Sequence, residues 1–382
     1  MQAYMRARYY WASINNIDTR CRTIKRLTMT TKRFIPSLQA FRGFAIINIV
    51  AIHAIEFIFF FAGTADIIPK TDLTFFAWGE SILLHDSTLY FTFISAILFS
   101  LILAERGYTN FFKSKVTNVV LPYLFFTCIM TWRNWDGGGS LTIFEGSLLE
   151  FTALVGKNLL TGGAIFSFWY IPVLFVLYLA TPIFAKLLTI KKAGWLVVLL
   201  IVAPLVCSRA FPDITWTNFV YFLGAYMLGM WVGANYQKTI KLIDRYLLLV
   251  ALVALGSTGV LVVLFYLESP KWGIITFTES AWYVQKIAIA GLVILLFERT
   301  LKSVPKWLDI LGNYAFSIYF LHAYLLFEMY GVMATIIAVP TSIPFILALA
   351  LLNVVLVIAI SVVITFVLKS LLGKYSRSII GT

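Results

Sequence analysis

The sequence predicts an all-α, polytopic membrane helical bundle of about ten transmembrane helices, with both termini in the cytoplasm. Three observations predict it. Of 382 residues, 61% are hydrophobic and 12% charged, about half the charge content of a soluble domain. Mean hydropathy is +0.90 over the whole chain, which excludes a soluble domain hung from one anchor, since most of such a chain would have ordinary composition. The apolar residues also fall in runs of about 20, the length a helix needs to cross hydrocarbon. A formal charge of +13 would suggest nucleic acid in a soluble protein. Here the cations sit in short runs between apolar stretches, as cytoplasmic loops of membrane proteins do, and nucleic acid is set aside as a partner.

Taken in order, spans are expected near 40–62, 82–104, 117–133, 164–187, 194–208, 217–235, 246–267, 281–298, 310–330 and 344–369. The fifth is short and interrupted by Pro204, so a re-entrant segment is the alternative there. No internal repeat is evident, which disfavours a transporter built from two related halves. With the N-terminus inside, eight lysines and arginines fall in residues 1–39 and three in each of five later inner segments, 23 of 30 in all; the outer segments hold 6, and Arg42 lies within the first span. That asymmetry orients the chain. The largest outer loop, about 134–163, carries Asp136, Gly137-Gly138-Gly139, Glu145 and Glu150, and is long enough to touch a substrate.

Residues 1–33 read as a basic cytoplasmic tail whose single acid is Asp18, without the apolar core of a signal peptide. A start at Met29 would shorten it to a brief lead and is the simpler reading. Residues 34–372 read as the membrane domain and 373–382 as a cytoplasmic C-terminal tail. Cys21, Cys128 and Cys207 are too few and too scattered for a disulfide framework or a metal site, and no metal is expected.

The three histidines, His53, His85 and His322, all fall within or at the edge of apolar spans. Ionisable groups in a bilayer are costly and are functional candidates by default; a histidine bonded between helices is the plainer alternative for any one of them. Eleven residues separate Arg42 from His53, so on a helix they are offset by about 20° and by about 16 Å along the axis. Glu56, three residues beyond His53, lies within about 40° of the Arg42 direction. One helix face thus carries a cation at its cytoplasmic mouth and a His/Glu pair deep inside. An imidazole beside a carboxylate is suited to general base work, and an interfacial arginine to a phosphate-bearing ligand, although snorkelling alone would also explain it. His322 reaches a similar depth, and Tyr319 shares its face. Asp86, next to His85, either caps the second span or belongs to an acceptor mouth. Aromatic blocks such as Phe59-Phe60-Phe61 and Trp169-Tyr170 are by themselves ordinary packing or interface-belt residues.

Several stretches arrive in a shared order. Leu38–His53 carries an arginine followed after ten residues by a histidine; Phe91–Phe99 is rich in Phe and small residues. Lys113-Ser114-Lys115 runs through Asn118 into Pro122-Tyr123, Phe168-Trp169-Tyr170 precedes Ile171-Pro172, and Leu311–His322 holds Gly312, Ser317, Tyr319 and His322. Over about residues 34–330 the set resembles the acyltransferase 3 family of integral membrane acyltransferases. Lys115, Asn118, Ala96 and Ser167 depart from residues common in that family.

The resemblance implies a ten-span O-acyltransferase that takes an acyl group, usually acetyl, from cytoplasmic acyl-CoA to a hydroxyl of a cell-surface glycan or lipid-linked sugar. Polysaccharide O-acetylation at a bacterial inner membrane is the expected setting. It implies catalytic roles for His53, Glu56 and His322, donor contacts from Arg42, Lys113 and Lys115, and acceptor contacts from Tyr319, Trp169, Tyr170, His85 and Asp86. Acyl-CoA is the co-substrate; the bilayer and the acceptor are the other partners. The competing class is a secondary transporter or exporter of a small solute, which also uses buried His, Glu and Arg pairs.

Overall fold

The computed structural model describes residues 35–63, 70–104, 107–134, 148–210, 213–336 and 342–382. The expected basic tail with its Met29 start, and Asp136, Gly137–Gly139 and Glu145 of the outer loop, lie outside these residues. The described chain is a bundle of helices, because in hydrocarbon every backbone N–H and C=O must be satisfied within its own segment. In order these are α1 (Pro36–Gly63), α2 (Lys70–Leu84), α3 (Thr88–Leu98), α4 (Tyr108–Lys115), α5 (Leu121–Asn134), α6 (Leu148–Thr161), α7 (Tyr170–Thr189) and α8 (Gly194–Val202). There follow α9 (Trp216–Ala234), α10 (Tyr236–Arg245), α11 (Leu247–Tyr266), α12 (Phe277–Thr300), α13 (Lys306–Ile336), α14 (Ile343–Leu372) and α15 (Ser376–Ile380). The described strands, β1 (Lys271–Trp272) and β2 (Ile275–Thr276), pair antiparallel in a hairpin that leads into α12, with Gly273 at positive φ in its turn.

Seven described stretches are long and apolar enough to cross a membrane: Pro36–Gly63, Leu73–Leu103, Tyr170–Thr189, Leu247–Tyr266, Phe277–Thr300, Lys306–Ile336 and Ile343–Ile380. They coincide with seven of the ten expected spans. The other three fall on α5, on α8 with the 3-10 turn Ala203–Leu205, and on α9, which are helical but do not reach that standard. Pro204 sits in that 3-10 turn, where the sequence signalled an interruption. The outer loop is not simply a loop: its second half is α6, with Glu150 in the first turn and the Tyr123 hydroxyl donating to the carbonyls of Asn158 and Leu159 at 3.1 and 3.0 Å. The expected C-terminal tail is also folded. Ile380 is buried and its carbonyl accepts from Ser317.

The helix α1 is central, packed against α2, α3, α12, α13 and α14. Its closest partner is α13, and small residues let the two backbones touch. A Cβ on Gly43 would lie 2.7 Å from the Leu308 carbonyl oxygen, and one on Gly312 would lie 2.7 Å from that of Gln39. Asn353 of α14 donates to the Ala54 carbonyl at 2.8 Å, tying the turn that bears His53 to a third helix.

One spanning segment is broken. Between α2 and α3, Asp86 takes φ +58°, a left-handed conformation that Asp tolerates better than most side chains. Side chains donate to carbonyls around the break: Lys286 Nζ to Leu83 (2.6 Å), Ser87 Oγ to Leu84 (2.5 Å) and Trp282 Nε1 to Ser81 (3.1 Å), which also accepts from the His85 N–H. Of the two readings offered for Asp86, a helix cap or a place at the acceptor mouth, the cap is not found. Ser87 holds the N-cap position of α3 without a side-chain cap, and the Asp86 carboxylate turns to Arg209 and Tyr221 instead.

Candidate active site

The contact between α1 and α13 brings together the two histidines they carry. The His53 and His322 rings stack with centroids 5.6 Å apart and planes at 21°. His322 is wholly buried, and its Nδ1 lies 2.7 Å from the Tyr319 carbonyl oxygen. A carbonyl only accepts, so the proton is on Nδ1 and Nε2 carries the lone pair, which has no protein partner. His53 stands in front of it, one quarter exposed, with Nδ1 3.6 Å from a Glu56 carboxylate oxygen and the Phe166 ring set edge-on to it, centroids 4.8 Å apart. Helical spacing places Glu56 there, one turn on.

His53 faces a cavity of about 790 Å³, a size suited to a small-molecule substrate. The wall around and above His53 is apolar, from Phe57, Phe60, Phe166, Phe327 and Tyr330. The facing wall is polar and is built on the break between α2 and α3: Glu80, Ser81, His85, Asp86 and Ser87, with Trp169, Arg209, Glu279 and Trp282. Arg209 organises it. Its Nε lies 2.8 Å from Asp86 and 3.1 Å from Glu279, and a terminal nitrogen donates to His85 Nε2. Since a guanidinium only donates, His85 is held with its proton on Nδ1. Tyr221 donates to the second Asp86 oxygen at 2.6 Å, Arg209 lies 5.4 Å from the Trp169 ring, and His85 lies over Trp282 with centroids 4.1 Å apart. Burial alone would lower the pKa of Arg209; the Asp86 and Glu279 carboxylates outweigh it and hold the guanidinium above its ordinary value. The ligand atoms of His85, Asp86 and Glu279 are close enough together to hold a cation, and in this arrangement the guanidinium occupies that position.

Arg42 lies near the start of α1, on the other side of His53 from Glu56. It donates to Gln39 Oε1 at 3.3 Å, and the Gln39 amide donates in turn to Asp309 and Asn313, each at 3.0 Å. Tyr178 and Asp309 are within its electrostatic reach. Lys115 approaches the same Tyr178, its Nζ 4.1 Å from the ring centroid. Lys113 is exposed, and no described contact joins it to Arg42.

Of the residues singled out in the sequence, His53, Glu56, His85, Asp86, Trp169 and Tyr319 line the one cavity, with His322 stacked behind His53. Tyr170 does not line it: the ring is buried against Phe222, and its hydroxyl lies 2.9 Å from that of Thr92. Sequence reasoning missed Arg209, Glu279, Glu80 and Trp282, and noted Ser167 only as a departure from the family pattern. Arg209 gave no signal beyond being one outer cation among several, and Glu279 falls just ahead of the expected eighth span.

Comparison with known proteins bears on this site as a whole. The profile of a family described as an acyltransferase domain, acyltransferase 3, matches residues 35–369. The chain is 24% identical over 333 residues to the Bacillus subtilis (strain 168) protein YfiQ, itself named a membrane-bound acyltransferase by inference only; the alignment covers 82% of this chain and 87% of that one. No solved structure matches.

Proposed function

As a member of the acyltransferase 3 family the chain is an integral, multi-pass membrane acyltransferase, and we propose that it moves an acyl group, acetyl foremost, from cytoplasmic acyl-CoA to a hydroxyl of a cell-surface glycan or lipid-linked sugar. The transporter reading is set aside with that membership. One observation carries the proposal: a cavity-facing imidazole, paired with Glu56 and backed by His322, on the same helix that bears Arg42 about 16 Å back toward its N-terminal end.

In this reading the thioester enters from the Arg42 and Lys115 end, its phosphates held at the basic face because so highly charged a molecule does not cross hydrocarbon. Arg42 contributes a planar fork suited to a phosphate. His53 removes the proton of the acceptor hydroxyl as that oxygen attacks the thioester carbonyl carbon; the C–S bond breaks, and the thiolate takes the proton from His53. Tyr319, Trp169, His85 and Asp86 face the acceptor, which reaches the cavity from the outer side. The proposal retains ten crossings with both termini inside on the distribution of lysine and arginine, and the inner membrane of a bacterium as the setting the family resemblance implies.

Two measurements test it. In sealed vesicles of known orientation, acetyl-CoA on the cytoplasmic face is expected to acylate an impermeant acceptor on the other face; product formed only when both share the cytoplasmic compartment would refute transfer through the bilayer. For the donor end, calorimetry is expected to show acyl-CoA affinity weakening modestly in Arg42→Lys, which keeps the charge but loses the fork, and severely in Arg42→Ala. Unchanged affinity in Arg42→Ala would remove Arg42 from the donor site.

A further inference from the structure

Among the described residues, three buried hydroxyl side chains line the cavity: Ser87, Ser167 and Tyr319. Two of them are used within the protein. Ser87 donates to the Leu84 carbonyl and Tyr319 to the Ser167 carbonyl. Several other donors of the wall are committed as well: Arg209 to His85 and Glu279, Ser81 to Glu80, and the Trp282 indole to the Ser81 carbonyl. Ser167, only 3% exposed, has an Oγ with no partner.

A buried hydroxyl left unpaired costs about 1–3 kcal/mol, and this one has little freedom to find a partner elsewhere. Its own carbonyl is bonded by Tyr319. The next residue, Phe168, donates its N–H to Ile165 at 3.0 Å, and Gly162, at φ +67°, lies so close to the Trp169 backbone that a side chain would not fit. The neighbouring Phe166 ring touches His53, and Tyr319 is one helical turn from His322. The wall is rich in acceptors, from Glu56, Glu80, Asp86 and Glu279. What acyl transfer needs beyond a base is a donor aimed where negative charge develops on the carbonyl oxygen.

We propose that Ser167 supplies that donor: its Oγ–H bonds the acyl carbonyl oxygen as this becomes the oxyanion of the tetrahedral intermediate. The inference rests on the acyl-transfer reading with His53 as base. The oxyanion forms when the acceptor oxygen attacks and disappears when the C–S bond breaks; Ser167 keeps its proton throughout and forms no covalent bond.

The test uses the full chain in lipid nanodiscs, acetyl-CoA as donor, an envelope-glycan extract as acceptor, release of the CoA thiol as the readout and thermal melting alongside. In Ser167→Ala the kcat is expected to fall about a hundredfold, with KM for acetyl-CoA within about threefold. The melting temperature is expected to hold or rise, because alanine removes an unpaired buried polar group. A structural hydroxyl would behave in the opposite way, so a fall in Tm of more than about 4 °C overturns the proposal. CoA release that survives in Ser167→Ala overturns it too and leaves the donor assignment standing. Absence of release from the wild type strikes the donor assignment itself, and this inference with it.

Discussion

His53→Ala is expected to insert and fold like the parent while its acyl transfer falls at least about a hundredfold, the loss that follows removal of a general base. The ring is one quarter exposed at a cavity wall, so its truncation opens existing space instead of hollowing a packed core, and the stability effect is expected to be small. No neighbour replaces it. His322 has a free lone pair but is wholly buried behind His53, and Glu56, one turn outward, belongs to the pair whose imidazole is gone. Turnover per folded molecule, with CoA release as the readout and melting temperature as the control for folding, decides the point. Activity within about threefold of wild type in a well-folded His53→Ala preparation would take the residue out of the mechanism.

The largest effect on stability is expected from Arg209→Ala. The guanidinium is 8% exposed, forms an ion pair with Asp86, whose side chain is fully buried, and donates to Glu279, which is nearly so. Removing it leaves the buried Asp86 and Glu279 carboxylates without their closest counter-ion, a change that typically costs about 3–5 kcal/mol. Asp86 also sits at the left-handed residue of the broken helix, so losing its partner loosens the turn that aims His85. Thermal melting in detergent should register a large drop, and the triple change Arg209→Met, Asp86→Asn and Glu279→Gln should recover most of it by removing the charges together. A melting temperature unchanged in Arg209→Ala would mean that the network is not structural and that Arg209 serves a ligand alone.

How legible these features were depends on whether they are local in the chain. The Arg42, His53 and Glu56 face is set by helical rotation within one segment, and the structure places the last two where that rotation put them, with His53 and Glu56 lining one cavity. His322 and Tyr319 were legible as a pair, but their docking against His53 depends on Gly43 and Gly312 meeting backbone on the other helix, which no periodicity reveals. The break at His85–Ser87 was hidden because a search for apolar runs starts the span at residue 82, whereas the helix starts at Lys70 and carries Glu80 into the bundle. The Arg209 network joins a helix break, a connecting segment and the starts of two further helices, so it has no spacing to recognise. Tyr170 illustrates the converse: adjacent to Trp169 in a shared stretch, it turns into the core because consecutive residues of a helix start point in different directions.

The reciprocal fit of Gly43 under the Leu308 carbonyl and Gly312 under that of Gln39 has a mechanical meaning. Two helices that touch through backbone at two neighbouring levels cannot slide past each other by a turn without one main chain climbing over the other. The strand of residues from Arg42 to His53 and the histidine opposite it therefore behave as a fixed post, and the work of admitting and releasing molecules falls on whatever surrounds them. A register shift of one helix along the other, as a way of re-aiming the two histidines, is closed to this pair. On the acyl-transfer reading proposed above, both substrates would meet at this fixed pair of histidines.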